Sequence, residues 1–162
     1  MPDAPASLLD TWRGTVLPQW VDYNGHLNDA YYMVVFSQAT DALMAMIGLD
    51  EAGRKATGHS IYTLEAHINY LQEVKQDAAI VVRTQVLGSD AKRLQIYQAM
   101  HRADDDTLLA ANEQMLLNVD TTAGPRAAPF APTVLARVQM LTVAHKSLPQ
   151  PKHAGRRIAL PG

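Results

Sequence analysis

Asp22, Asn24, Gly25 and His26 stand within five consecutive positions, and Asn28 and Asp29 follow at once. The full stretch reads Trp20-Val21-Asp22-Tyr23-Asn24-Gly25-His26-Leu27-Asn28-Asp29-Ala30-Tyr31-Tyr32. A carboxylate can attack an electrophilic carbon or take a proton from water. A helix that begins at Asn28 or Asp29 offers first-turn amides with no partner inside the helix, at the positive end of its dipole. Such amides can hold an oxyanion, so Asp22 close beside them makes the pairing that acyl transfer needs. The same residue types also serve as plain turn and capping chemistry, and His26 alone reads equally as a structural histidine.

Other chemistries lack their residues. Without cysteine there is no disulfide framework, thiolate zinc site, iron–sulfur cluster or cysteine nucleophile. Glu65 and His67 on one strand face supply two metal ligands, but no third stands at a suitable spacing. No Gly-x-Ser-x-Gly elbow, phosphate loop or dinucleotide fingerprint occurs. The 14 basic and 16 acidic side chains give a net charge of −2, so nothing draws the protein to nucleic acid or to an acidic membrane. The N-terminus has no basic region followed by an apolar run, and the most apolar stretch, residues 31–36, is far short of the roughly 20 a spanning helix needs. The expected location is the cytoplasm.

The elements that must position Asp22 follow from pattern. Residues 12–17 read as extended, and residues 28–49 contain no proline, with Asn28 or Asp29 as the helix cap and Gly48 as its left-handed stop. Apolar residues run most of the way round that helix, Ser37, Gln38, Thr40 and Asp41 being the main exceptions, which predicts a largely buried helix. Residues 50–56 form a short helical connection. In residues 60–74, Tyr62, Leu64, Ala66, Ile68 and Tyr70 alternate with Thr63, Glu65, His67 and Asn69, a period of two. Strands at 78–87, 94–100 and 108–119 are separated by turn clusters at 88–90 and 104–106, and an amphipathic helix spans 132–146. The expected class is α+β, with an antiparallel sheet wrapped around one long helix. Residues 1–162 read as one domain, with loosely held termini at 1–10 and 148–162.

The string D-Y-N-G-H-L-N-D-A-Y-Y resembles the signature of hotdog-fold acyl-CoA thioesterases of the 4-hydroxybenzoyl-CoA thioesterase type. More narrowly, L-P-Q-W-V-D-Y-N-G-H-L-N-D-A-Y-Y, T-G-H-S-I-Y-T-L-E-A-H-I-N-Y-L and N-E-Q-M-L-L-N-V-D resemble the betainyl-CoA thioesterases of carnitine breakdown, some of which are fused to carnitine dehydrogenase. The resemblance implies a hotdog homodimer or dimer of dimers with two sites formed between subunits, a small acyl-CoA substrate, and neither cofactor nor metal. It implies Asp22 as nucleophile or general base and the amides near Asn28 and Asp29 as the oxyanion site. Asn24 and His26 are then expected to orient the turn and the thioester. Glu65, His67 and Asn69 are expected to form the polar wall of the neighbour's site. An enoyl-CoA hydratase is the alternative within the fold, but its Asp-x-Asn-Pro-x-His signature has a proline that is missing here, and His26 stands one residue too close. A non-catalytic acyl-CoA binder is the alternative outside enzymes; a carboxylate kept there without a task would only cost stability.

A betainyl group carries a quaternary ammonium, which aromatic faces attract. Six of the ten aromatic residues fall between positions 12 and 36. Trp20, Tyr23, Tyr31 and Tyr32 are therefore candidate contacts, although rings also simply pack cores. Lys92, Arg93 and Arg102 are candidate partners for CoA phosphates, against the plainer reading of solvated charges near hairpins.

Overall fold

Branched and aromatic residues at alternate positions make five long strands, and the turn clusters at 88–90 and 104–106 make the third, fourth and fifth run back along one another. The computed structural model describes residues 6–162; residues 1–5 of the expected loose terminus lie outside it. In chain order come β1 (Leu9–Thr15), a 3-10 turn (Pro18–Trp20), α1 (Asp29–Met46), α2 (Glu51–Thr57), β2 (His59–Tyr70), β3 (Ala79–Ser89), β4 (Arg93–Arg102), β5 (Leu108–Asp120), β6 (Arg126–Ala127) and α3 (Pro132–His145). The strands form one antiparallel sheet in the order β1-β3-β4-β5-β2, with β6 added alongside β5. No single helix among the described residues is long and apolar enough to cross a membrane.

Helix α1 starts where Asn28 caps it, its side-chain oxygen accepting from the Ala30 amide at 3.1 Å. It ends before Gly48, whose φ of +93° suits a residue without a Cβ. Its buried face carries Tyr32, Val35, Phe36, Ala39, Leu43 and Met44. Val35, Phe36 and Ala39 pack with Ile80, Val82, Met100 and Leu109 of the sheet, while Leu43, Met44 and Ile47 join Val134, Val138 and Leu141 of α3 in a second cluster. A layer of amides lies between helix and sheet. The Gln98 side chain donates to the Phe36 carbonyl at 3.2 Å and to the Thr40 hydroxyl at 3.1 Å, and its own oxygen accepts from Asn112 at 3.1 Å. These directional bonds fix where α1 sits along the strands, which apolar contacts alone would leave free to slide.

The helix departs from expectation on its far side, where Val34, Ser37, Gln38, Asp41 and Met46 are exposed. The sheet covers only one face of α1, whereas Thr40, expected among the polar exceptions, is buried by the amide layer. Strand β2 also breaks its predicted alternation. The pairing with β5 shifts between Thr63 and Glu65, so Leu64 is an extra residue and the strand turns over there. Ile61 and Ile68 consequently both pack inward despite their odd spacing. Leu9 and Asp10, expected in a loose terminus, open β1, because Leu9 is buried in the core. Part of the C-terminal stretch, around residues 154–155, is likewise held, whereas Ile158 and Leu160 beyond it are almost fully exposed. Ala154 packs on Tyr97, Ala99 and Ala111, and the Gly155 amide donates to the Glu113 carboxylate at 2.8 Å.

Candidate active site

Local bonds shape the turn before α1. The Gly25 amide donates to the Asp22 carbonyl at 3.0 Å and the Asp22 amide to the His26 carbonyl at 2.9 Å. Gly25 holds φ at +75° there, a conformation that costs an L residue about 1–2 kcal/mol. The Asp22 Oδ1 accepts from the backbone amides of Asn24 at 2.8 Å and His26 at 3.4 Å. Its Oδ2 has no partner among the described residues and is left for chemistry. The turn is tied down by the Leu27 amide, which donates to the Val74 carbonyl at 2.8 Å, and by the Asn28 amide, which donates to the Trp20 carbonyl at 2.9 Å. Of the first three helical amides, Ala30 and Tyr31 are satisfied by the side chain and the carbonyl of Asn28, and only that of Asp29 is unpartnered among the described residues.

A groove of about 380 Å³ runs past these groups and is lined by Asp22, Asn24, His26, Asn28 and Asp29. Its opposite side is Tyr32, Tyr70 and residues 71–73. Tyr32 and Tyr70 meet edge to face at 5.2 Å. The Tyr32 hydroxyl donates to the Gln72 carbonyl at 3.2 Å, and that of Tyr70 to the Asp29 carbonyl at 3.1 Å. Burial first, then the charge of Glu73 and the neighbouring Tyr70, push the Tyr32 phenol up to about 12. Burial and the Asp29 carboxylate push Tyr70 upward too. Both hydroxyls therefore stay protonated donors at neutral pH. His26 Nε2 lies 3.5 Å from Glu73, so the groove holds the carboxylates of Asp22, Asp29 and Glu73 against a single imidazole. It is an electronegative slot with Tyr32 and Tyr70 in its wall, lined both by Asp22 with its uncommitted Oδ2 and by Asp29 with its open amide.

The remaining candidates lie elsewhere. Trp20 is buried, stacks on Tyr31 at 6.1 Å and leans on Trp12 at 6.3 Å, so this trio packs the turn against the core and does not line the groove. Tyr23 is 97% exposed at the tip of the turn. Glu65, His67 and Asn69 pair across β2–β5 with Met115, Glu113 and Ala111, on the sheet face away from Tyr70. Glu65 and His67 line a separate cavity under the C-terminal stretch, with Arg156 and Arg157, and do not meet Asp22 in this subunit. Among the described residues no three His, Cys, Asp or Glu side chains converge to hold a metal ion. Tyr70, Gln72 and Glu73 were not singled out from the sequence. Tyr70 does belong to the same β2 alternation as Ala66 and Ile68, and its position at the end of that inward row is the signal that could have marked it.

Gly25→Ala isolates the turn. Nothing stands within 4 Å of where its Cβ would be, so the cost is backbone strain alone. The expected result is a loss of about 1–2 kcal/mol in a urea titration, together with a lower kcat as Asp22 is displaced.

The sequence profile of the Thioesterase-like superfamily matches residues 16–138. Betainyl-CoA thioesterase of Pseudomonas aeruginosa is 56% identical over 156 residues, which is 96% of this chain and 98% of that protein. The L-carnitine dehydrogenase/betainyl-CoA thioesterase of Agrobacterium fabrum is 45% identical over 139 residues, covering 86% of this chain and 28% of that longer protein. A hypothetical protein of Staphylococcus aureus, solved in complex with CoA, superposes with a TM-score of 0.89 at 25% identity over 99% of this chain and 100% of that one.

Proposed function

The chain belongs to the thioesterase-like superfamily, and from that membership we propose that it hydrolyses betainyl-CoA to glycine betaine and CoA. It is an acyl-CoA thioesterase, a hydrolase of thioester bonds. The observation that carries the site assignment is the joint placement of the free Asp22 Oδ2 and the unpartnered Asp29 amide in one groove.

Two routes fit that geometry. In one, Asp22 Oδ2 attacks the thioester carbon and expels the CoA thiolate, and water then opens the acyl–aspartyl anhydride. In the other, Asp22 takes a proton from the water that attacks the same carbon. Both consume one water, release the carboxylic acid and CoA thiol, and return Asp22 as a carboxylate. In both, negative charge grows on the carbonyl oxygen, where the Asp29 amide and the positive end of α1 can meet it. Asn24 and His26 hold the turn: the backbone amides of both bond Asp22, and the His26 ring reaches Glu73.

The acyl reading is supported by charge. Three carboxylates and the half-exposed ring of Tyr70 favour a trimethylammonium group and disfavour an anionic acyl group such as succinyl. We place the reaction in the cytoplasm, where CoA thioesters are made, and take a carnitine dehydrogenase as the working partner, as the two names joined in the Agrobacterium fabrum protein suggest. A panel of betainyl-, acetyl-, 4-hydroxybenzoyl- and medium-chain acyl-CoA, followed by a thiol reagent, tests the function. Betainyl-CoA is expected to have the highest kcat/KM. No thiol release from any of them would refute the activity, and a better rate on another member would refute the substrate.

Strand β2 is one of the two open edges of the sheet, β1 being the other, and residues 62–66 on it are exposed, including Tyr62 at 45% and Leu64 at 53%. A long apolar edge left unpaired invites a second strand, so we propose a homodimer formed there, with the Tyr70 end of the groove close to the joint. The expected mass in light scattering at micromolar concentration is that of a dimer or of two dimers. A fully active monomer would rule it out.

A further inference from the structure

A second cavity, of about 630 Å³, shares His26 and residues 71–73 with the Asp22 groove, so the two have a common wall. Its far side holds two cations, Lys75 and Arg102. Four arginines are committed to carboxylates elsewhere: Arg13 to Asp10, Arg83 to Asp10 and Asp106, Arg93 to Asp90, and Arg126 to Asp120. Lys75 has no such partner. Arg102 spends one nitrogen, Nη1, on Asp105 at 2.8 Å and on Thr107 at 3.5 Å, which leaves its other two free. Lys75 is also fixed in place relative to the catalytic turn, because its backbone pairs with His26. An acyl-CoA presents its thioester at one end and phosphates at the other, joined by a neutral pantetheine arm with two amides. The joined cavities offer a matching sequence: carboxylate and open amide, then a wall of Leu71, Gln72 and the His26–Glu73 pair, then cations.

We infer that Lys75 and Arg102 form the phosphate-binding subsite for CoA, with the pantetheine arm running along residues 71–73. The inference rests on the thioesterase reading and adds the residues that recognise the leaving group. It separates Arg102 from the other two hairpin cations singled out in the sequence. Arg93 is bound to Asp90 through two nitrogens, at 2.6 and 2.7 Å, and neither it nor Lys92 lines a cavity that joins the Asp22 groove.

Calorimetric titration of the whole protein at low ionic strength, with CoA and with phosphate-free pantetheine, tests it without depending on turnover. Wild type is expected to bind CoA at least about tenfold more tightly than pantetheine, with the difference shrinking as salt is added. Lys75→Gln should weaken CoA about three- to tenfold, Lys75→Gln/Arg102→Gln further, and pantetheine should bind all three alike. Lys75 is exposed and makes no side-chain bond, so the single variant keeps the test valid if the double variant unfolds. Equal affinity of wild type for CoA and pantetheine, or a Lys92→Gln variant that loses as much as Lys75→Gln, overturns the subsite. Thiol release from betainyl-CoA by the same wild-type preparation would show that the thioesterase reading survives that failure, and its absence would show that both fall.

Discussion

Asp22→Asn is expected to lower kcat on the best acyl-CoA at least about a hundredfold, the scale on which a general base or nucleophile is lost. The fold should hardly notice. An asparagine oxygen at the Oδ1 position can still accept from the Asn24 and His26 amides at 2.8 and 3.4 Å, and only the unpartnered Oδ2 is exchanged for an amide group. The thermal midpoint should therefore stay within about 2 °C of wild type. A variant that melts normally and turns over at the wild-type rate would remove Asp22 from the chemistry. The two routes separate in a single turnover in 18O-labelled water. A nucleophilic Asp22 takes label into its own carboxylate when the anhydride opens at the aspartyl carbon, whereas a general base never does. Asn24→Ala and His26→Ala should lose less than Asp22→Asn, since the backbone amides that hold the carboxylate remain in both.

The second large effect concerns charge in the acyl group. Betainyl-CoA and its neutral isostere 3,3-dimethylbutyryl-CoA have nearly the same shape, so a preference between them measures recognition of the cation alone. A desolvated cation over a tyrosine face gains on the order of 1–2 kcal/mol, so removing one ring should cost roughly five- to thirtyfold in kcat/KM for betainyl-CoA. Tyr70→Leu is the informative change: Tyr70 is 52% exposed at the groove, whereas Tyr32 is 4% exposed and its loss would also disturb the core. The neutral substrate should lose much less, because leucine keeps apolar contact. Equal hydrolysis of both substrates by wild type, or equal loss of both in Tyr70→Leu, would leave a thioesterase without cation recognition. Trp20→Leu, by contrast, should act through stability, since that ring lies in the stack with Trp12 and Tyr31.

The parts of the site that are legible in the sequence are those closed by short-range bonds. Asn28 reaches an amide two residues ahead, Asp22 reaches amides two and four residues ahead, and Gly25 supplies one positive φ. Each contact depends on residue type and spacing within five positions, so the turn, the helix start and the carboxylate beside it follow from the string itself. The alternation of strands and the order helix-then-sheet are local in the same sense, and so the α+β class with a sheet around one long helix was legible as well, while the hotdog fold was what the family resemblance implied. The other half of the groove is not local. Tyr70, Gln72 and Glu73 stand some 40 residues beyond Tyr32 and reach it only because β2 lies at the sheet edge beside α1. One inserted residue at Leu64 decides which side chains of that strand face inward, and nothing in the alternating pattern announces it. It was tertiary packing, too, that turned the Trp20 and Tyr31 rings away from the groove and made the buried Tyr32 part of its wall. A side chain's type is written in the chain, but the direction it points is set by which long-range pairing buries the most apolar surface, and that is a property of the whole fold.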